Sequence, residues 1–243
     1  MSSLGVRGWL SLEGQLRSSK FAQLMQYRLR SKSLQSPLEY RPNDSDLEAF
    51  LQVFVRREYD AIGPIAPGGL IIDCGANVGY SSARLLMRHP GAHVIAVEPD
   101  AGNFRLLQKN LSSFGSSVIA IEGAVWSRDC GLVFDRDAFR DGLSWSVQVR
   151  EAAENESADV RAFDISSLMQ MRGDERVALL KMDVERSELE IFRTRPDWIT
   201  QCDNIAIELH DQECERTFFS AIADEGFHVT RSGELTICSR ARS

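Results

Sequence analysis

The stretch Leu70-Ile71-Ile72-Asp73-Cys74-Gly75-Ala76-Asn77-Val78-Gly79-Tyr80-Ser81-Ser82 decides the fold of this chain. It begins as a short apolar run that ends in an acid, which is typical of a buried parallel strand. Two glycines follow at Gly75 and Gly79, and a helical pattern of apolar residues begins at Ala83. The stretch therefore predicts a strand, a tight glycine turn and a helix, which together place a ligand at the carboxyl edge of a sheet.

The order of these residues departs from the dinucleotide-binding fingerprint, which needs glycines at three fixed positions and a helix N-terminus facing a pyrophosphate. Here Asp73 ends the strand, and an acid at this place would repel a pyrophosphate but suit an amine-bearing or cationic ligand. The arrangement resembles the first motif of class I S-adenosylmethionine (SAM) methyltransferases. A tight turn that binds no ligand is the alternative. The residues that we predict to contact the cofactor here are Asp73, Gly75, Ala76, Asn77, Gly79, Tyr80 and Ser82.

Composition and charge narrow the class of protein. The 243 residues suffice for one medium domain with an extension or small cap, and the formal net charge of −7 disfavours general nucleic-acid binding. No apolar run approaches the roughly 20 residues that span a bilayer, and polar residues interrupt the apolar positions between 10 and 16, so we expect no signal peptide. The five cysteines lack metal-type spacing, which predicts reduced thiols and a cytoplasmic location.

Strand and helix patterns alternate along residues 63–243, which we predict to form the main domain. Apolar runs at 93–97, 117–121, 177–182 and 204–208 predict further strands, and 227–230 with 234–238 predict a terminal hairpin. The fold class is therefore α/β, with a doubly wound, mostly parallel sheet and an antiparallel edge strand. We predict residues 1–62 to form a helical N-terminal extension or cap, and 128–162 to form a β-rich insertion near the substrate side.

Almost every predicted strand ends in an acid, and a doubly wound sheet binds its ligand beyond these carboxyl ends. Glu98 ends the second strand, where a carboxylate can accept hydrogen bonds from both hydroxyls of a ribose. Pro99 follows it directly. Ala124 and Val125 follow the third strand, where an adenine would lie. A surface acid before Pro99 is the alternative for Glu98.

Three further residues are predicted to converge at the neighbouring strand ends. Asp183 ends the fourth strand, and Glu208 and His210 share one face at the end of the fifth. Asp183 has two possible functions. It could act as a general base for a substrate hydroxyl, or it could be a ligand of a divalent metal such as Mg²⁺. His210 is the other candidate base because its unperturbed pKa lies near neutrality, and Glu208 would orient it. The metal ligands on this hypothesis are Asp183, Glu208 and His210.

The segments 73–79, 97–100 with Asn103 and Phe104, 180–188 and 207–210 together resemble the FkbM family of SAM-dependent methyltransferases. The most specific part is Lys181-Met182-Asp183-Val184-Glu185-Arg186-Ser187-Glu188, where the family pattern is Lys, apolar, Asp, apolar, Glu, Gly, small, Glu. Arg186 occupies the glycine position. If that glycine serves a positive φ or a close approach, Arg186 alters the pocket; alternatively it adds a cation that faces an acidic substrate.

The resemblance implies a class I methyltransferase fold with a seven-stranded Rossmann-like sheet. It also implies methyl transfer from SAM, most often to a hydroxyl oxygen of a sugar, a polyketide or another specialised metabolite. The alternatives are N-methylation by the same fold, a nicotinamide-dependent oxidoreductase, and an inactive SAM-binding partner. We expect a small-molecule hydroxyl acceptor, no nucleic-acid partner, no membrane span, and a homodimer as an option.

Overall fold

The computed structural model describes residues 27–29, 37–42, 44–135, 148–173 and 176–240. The described chain begins with two short antiparallel strands, β1 (Tyr27–Leu29) and β2 (Leu38–Tyr40). The prediction of helix before residue 45 is wrong for these two segments, and its other residues lie outside the described ones. The physical reason is visible in β2, where Leu38 and Tyr40 are buried and Glu39 between them is not, a period of two that only an extended chain produces.

Residues 46–61 form three consecutive helical turns of different kinds. Helix α1 (Asp46–Phe50) runs directly into a π-helix (Leu51–Arg56), and a 3₁₀ helix follows (Glu58–Ala61). Phe50 and Phe54 stack with ring centroids 4.8 Å apart, and both meet Tyr80 edge to face. These side chains belong to the same hydrophobic cluster as Ile71 of the main sheet, so the segment shares one core with it.

The remaining elements alternate along the chain. The strands are β3 (Leu70–Cys74), β4 (His93–Glu98), β5 (Val118–Glu122), β6 (Ala124–Val125), β7 (Cys130–Asp135), β8 (Gln148–Glu151), β9 (Val160–Phe163), β10 (Leu179–Met182), β11 (Asn204–Glu208), β12 (Phe227–Ser232) and β13 (Leu235–Arg240). The helices are α2 (Tyr80–Arg88), α3 (Ala101–Leu111), α4 (Ile165–Gln170), α5 (Glu188–Phe192) and α6 (Gln212–Ile222), with 3₁₀ turns at Ser112–Ser117 and Asp197–Gln201.

Seven strands form the main sheet, in the order β12-β13-β11-β10-β3-β4-β5. The strands β11, β10, β3, β4 and β5 are parallel, and β13 runs against both of its neighbours. The α/β class and the seven strands are confirmed. The antiparallel strand, however, is not at the edge as predicted. Strand β12 precedes β13 in the chain but forms the edge of the sheet. After the short turn at Gly233 and Glu234, β13 lies between β12 and β11 and pairs with both.

A second sheet has the order β6-β9-β7-β8 and overlaps the region 128–162 that was predicted to be β-rich, although β6 lies before that region. Only β6 and β9 pair in parallel. Trp126 packs in the small core of this sheet, and its indole N–H donates to Glu151 at 2.9 Å. The side chain of Val149 in β8 reaches the cavity described below. The second sheet therefore forms part of the cavity wall.

Both faces of the main sheet are covered, because separate hydrophobic clusters lie on either side of it. This burial explains why β3 and β10 consist of almost uninterrupted apolar residues. All five cysteines are unpaired thiols. Among the described residues, none of the helices combines the length and apolar character needed to cross a membrane.

Candidate active site

A cavity of about 360 Å³ opens at the carboxyl ends of the parallel strands. This is where a doubly wound sheet binds ligands. The cavity brings together most of the residues predicted from the sequence, which are Gly75, Ala76, Asn77, Tyr80, Glu98, Pro99, Ala124, Val125, Asp183, Glu208 and His210. We call the part around Asn77 and Glu98 the Glu98 end, and the part around Asp183 and His210 the His210 end.

The turn after β3 passes unusually close to the turn after β10. A Cβ atom on Gly75 would lie 1.8 Å from the carbonyl oxygen of Asp183, and the φ of Gly75 is +72°. The N–H groups of Gly75 and Ala76 both donate to the carbonyl of Val97, at 3.0 and 2.9 Å. Glycine is therefore required at this position by both backbone conformation and space.

Asp73, Gly79 and Ser82 do not line the cavity, unlike the other residues predicted in this stretch. Asp73 is fully buried beneath it, and one carboxylate oxygen accepts hydrogen bonds of 2.6 Å from the hydroxyls of Ser81 and Ser82. Gly79 begins α2 with a φ of +86° and faces Leu107 of α3. These residues hold the strand, the turn and the helix together rather than facing the cavity. The alternation of residues along β3 could not predict which of these residues face the cavity, because it does not show which face of β3 the helix α2 covers.

At the Glu98 end, a buried carboxylate meets a strained turn. Glu98 accepts hydrogen bonds from the backbone N–H groups of Asn77 (2.8 Å) and Asp100 (3.0 Å) and from the side-chain amide of Asn103 (3.2 Å). Burial outweighs these donors and raises the pKa of Glu98 to about 7. Asn77 has a φ of +50°, and its side-chain oxygen is buried without a hydrogen-bond partner among the described residues. An unsatisfied buried acceptor of this kind favours a ligand that brings a donor.

At the His210 end, an imidazole lies among three carboxylates. The Nε2 atom of His210 is 3.6 Å from both Asp183 Oδ1 and Glu185 Oε2, and its Nδ1 atom is 3.2 Å from Glu188 Oε1. Glu188 is fully buried and also accepts from the N–H of Val184 at 3.1 Å. A glutamate in the first turn of a helix is ordinarily solvent-exposed, but Glu188 is buried because α5 packs its first turn against the loop after β11.

The charge state of His210 differs from the sequence expectation. Burial alone would lower its pKa, but Glu188, Asp183 and Glu185 outweigh burial and raise the pKa of His210 to about 9. The imidazole is therefore protonated near neutral pH. The expectation that His210 acts as a neutral base rested on its unperturbed pKa, which carboxylates from another part of the chain raise.

Glu208 also lines the cavity, but among the described residues it is not part of the close cluster of possible metal ligands around His210. The group whose ligand atoms all lie within 4.8 Å of one another is Asp183, Glu185 and His210. Burial and the charge of Asp183 raise the pKa of Glu208 to about 7. The sequence placed Glu208 beside His210 by strand alternation, whereas the turn after β10 presents Glu185 instead.

Arg186 adopts the backbone conformation that a glycine would favour, with a φ of +75°. Its guanidinium lies 2.9 Å from Asp211 Oδ2, and Asp211 caps α6. Arg186 is not among the residues that line the cavity. The structure therefore favours the interpretation based on positive φ, and the side chain pairs with the N-cap of α6 instead of facing a substrate.

Several polar cavity residues were not assigned a role from the sequence, among them Gln52, Tyr59, Lys181 and Glu234. A signal existed for Lys181, since a lysine inside an otherwise apolar buried strand needs a partner. No local pattern marks Gln52, Tyr59 or Glu234, which reach the cavity only through the packing of the N-terminal helices and the β12–β13 turn.

The sheet order and the cavity at the strand ends define the class I methyltransferase fold. The sequence profile of the methyltransferase FkbM domain matches residues 73–229, more than half of the chain, so the chain belongs to the FkbM methyltransferase family.

Individual relatives are similar over about two thirds or more of this chain. Methyltransferase 1 of Beauveria bassiana (strain ARSEF 2860) is 26% identical over 200 residues, covering 73% of this chain and 79% of the relative. The AMB antimetabolite synthetase AmbE of Pseudomonas aeruginosa is 26% identical over 201 residues, which cover 67% of this chain but only 9% of that protein. The crystal structure of methyltransferase FkbM from Methylobacillus flagellatus KT superposes with a TM-score of 0.53 at 16% identity, covering 74% of this chain and 45% of that one. This likeness shows the fold, and the chain spans less than half the length of that protein.

Proposed function

We propose that the protein transfers the methyl group of SAM to a hydroxyl oxygen of a small-molecule acceptor. One observation carries the proposal: a single cavity joins the Glu98 end, which suits an adenosine and an amino acid, to the His210 end, where acids and an imidazole surround the remaining space. The family resemblance supports a sugar, a polyketide or another specialised metabolite as the acceptor.

The Glu98 end fits the parts of SAM. The unsatisfied oxygen of Asn77 can accept a hydrogen bond from the amino group. The Glu98 carboxylate can accept from the ribose hydroxyls, and Pro99, Ala124 and Val125 give an apolar wall for the adenine. Asp73 supports this end from below rather than contacting it.

The chemistry then needs positioning and one proton acceptor. SAM supplies a methyl group already activated on a sulfonium, so the protein mainly orients two reactants and excludes water. His210 is protonated in the free protein, so we assign the hydroxyl proton to Asp183, whose side chain is one-third exposed. Glu208 lines the same end and, because its pKa is raised to about 7, adds negative charge beside the acceptor only as the pH rises above neutrality.

The same residues also fit a divalent metal ion. Asp183, Glu185 and His210 would hold it, with Glu188 fixing the imidazole through Nδ1, a pairing common behind metal-binding histidines. A metal there would polarise the acceptor oxygen as a Lewis acid.

Electron paramagnetic resonance tests the proposed metal site. The protein is first treated with a chelator to remove bound metal and is then titrated with Mn²⁺, whose binding changes the spectrum. We expect Glu185→Gln to weaken Mn²⁺ binding and Glu208→Gln, its matched control, to leave it within about twofold. Equal affinities in both variants would exclude this ligand set.

The main experiment measures binding and turnover. Isothermal titration calorimetry should show binding of SAM and S-adenosylhomocysteine (SAH) and none of NAD⁺, and methyl-labelled SAM should release label to hydroxyl compounds in an acceptor panel. Asp183→Asn should keep SAM affinity and lose about 10²–10⁴-fold in turnover, which is the usual contribution of a general base. Binding of NAD⁺ instead of SAM would support an oxidoreductase and overturn the proposal.

N-methylation is the second candidate, because Asp183, Glu185, Glu208 and Glu234 would attract a protonated amine to the His210 end. Matched hydroxyl and amine acceptors in the same panel separate the two reactions, since nuclear magnetic resonance of the product shows whether the new methyl is on oxygen or nitrogen. SAM binding without turnover on any acceptor would point to the inactive SAM-binding partner.

A further inference from the structure

Lys181 is a buried ammonium group in the wall of the cavity. Its side chain is only 2% exposed, although it occupies the middle of an apolar strand, and burying an unpaired ammonium is costly. Its Nζ atom lies 2.7 Å from the carbonyl oxygen of Gly75, 3.2 Å from Asp73 Oδ1 and 3.9 Å from Asp183 Oδ2. One cation therefore joins the glycine turn after β3 to the acid after β10.

The lysine stays charged in this environment. Burial opposes the charged form, but the nearby Asp73, Tyr59 and Asp183 outweigh it and raise the pKa of Lys181. Asp73 in turn holds the hydroxyls of Ser81 and Ser82 at the start of α2. The strand end, the turn and the helix start are thus connected through a single buried ion pair.

We infer that Lys181 is the positioning residue of the cofactor turn, where it fixes the Gly75 carbonyl and cancels the negative charge of Asp73 beneath the bound methyl donor. This inference rests on the proposed binding of SAM. It assigns two separable effects to one side chain. The hydrogen bond to Gly75 holds the turn in place for SAM and for SAH alike. The positive charge of Lys181 changes the ratio of the affinities for SAM and SAH, because SAM carries a positively charged sulfonium and SAH carries a neutral thioether.

The two effects predict different changes in affinity. Lys181→Met removes the hydrogen bond to the turn, so both ligands should bind about tenfold or more weakly, the usual loss for a hydrogen bond involving a charged group. The variant also leaves Asp73 as an unpaired anion, which favours the cationic ligand. The affinity for SAH should therefore fall further than the affinity for SAM. The double variant Asp73→Asn/Lys181→Met removes both charges, so the ratio should return to that of the unchanged protein while both affinities stay weak.

Calorimetric titration of each folded variant with SAM and with SAH tests the inference. The double variant also serves if Lys181→Met alone fails to fold, because it contains no unpaired buried charge. Lys109→Met is the matched control, since Lys109 is 61% exposed and its Nζ atom lies 4.0 Å from Glu39 Oε2, and the variant should change neither affinity more than about twofold. Unchanged affinities in Lys181→Met would overturn the inference. Equal losses for SAM and SAH would overturn the charge role and leave only the hydrogen bond to the Gly75 carbonyl. A parent protein that binds neither ligand would contradict the proposed function instead.

Discussion

At the scale of single residues, the closest approach in the site is between Gly75 and the carbonyl oxygen of Asp183. Gly75→Ala would place a Cβ atom 1.8 Å from that oxygen, which forces the two turns apart. We expect loss of SAM binding and a loss of several kcal/mol, at least about 3, in the free energy of unfolding. Thermal or urea unfolding and calorimetry measure both quantities.

Gly226→Ala is the matched control for this substitution. Gly226 has a similar φ of +69° but open space around its Cβ position. The variant should therefore lose only about 1–2 kcal/mol, the cost of the left-handed conformation alone. Equal losses in the two variants would show that the approach to Asp183 contributes nothing.

Glu98 predicts a pH dependence of stability. Its pKa of about 7 in the folded protein lies above the ordinary value of 4.5, so the folded state keeps a proton that the unfolded state releases. Glu98 therefore favours folding most at pH values below 4.5, and this contribution is lost as the pH rises through 7. The melting temperature of the unchanged protein, minus that of Glu98→Gln, should fall across this interval. A difference that rises with pH would mean that the three N–H donors outweigh burial.

At the scale of elements, the cavity is completed by parts of the chain outside the matched family region of 73–229. Gln52 on the π-helix and Glu234 in the β12–β13 turn both line it. They are linked through Glu58 of the 3₁₀ helix, whose carbonyl accepts from the Ser232 hydroxyl at 3.4 Å and whose carboxylate accepts from the Gln52 side chain at 2.9 Å. A π-helix is rare and is frequently found at functional sites. These elements are therefore candidates for setting acceptor specificity.

We expect Gln52→Ala to raise the KM for an acceptor that the unchanged protein methylates by about 3–10-fold, the value of one neutral hydrogen bond. The dissociation constant for SAM should stay within about twofold. Glu48→Ala is the control on the adjoining helix α1, because Glu48 pairs with Arg56 at the surface and does not line the cavity. Steady-state kinetics and calorimetry provide the two readouts. A weakened SAM affinity with an unchanged acceptor KM would assign Gln52 to the cofactor instead.

At the scale of the whole molecule, the N-terminal helices and the main sheet should unfold together. Phe54 is fully buried against Phe50 and Tyr80, so Phe54→Ala leaves a cavity between the two parts. We expect a loss of about 3–5 kcal/mol in the free energy of unfolding, with one cooperative transition. Val229→Ala at an exposed position of β12 should cost less than about 1 kcal/mol. Two separate transitions in calorimetry would instead show that residues 1–62 form an independent unit.

The sequence by itself determined the α/β class, the strand–turn–helix at Asp73 to Gly79 and the acids at the strand ends. These features depend on local periodicity and on glycines whose conformation few other residues adopt. Only the tertiary structure decided three other features. Strand β13 lies beside β11, Glu185 rather than Glu208 joins Asp183 and His210 in one cluster, and nearby carboxylates raise the pKa of that histidine. The physical reason is that strand order, burial and charge depend on segments distant in the chain, and no local pattern records which of them will meet.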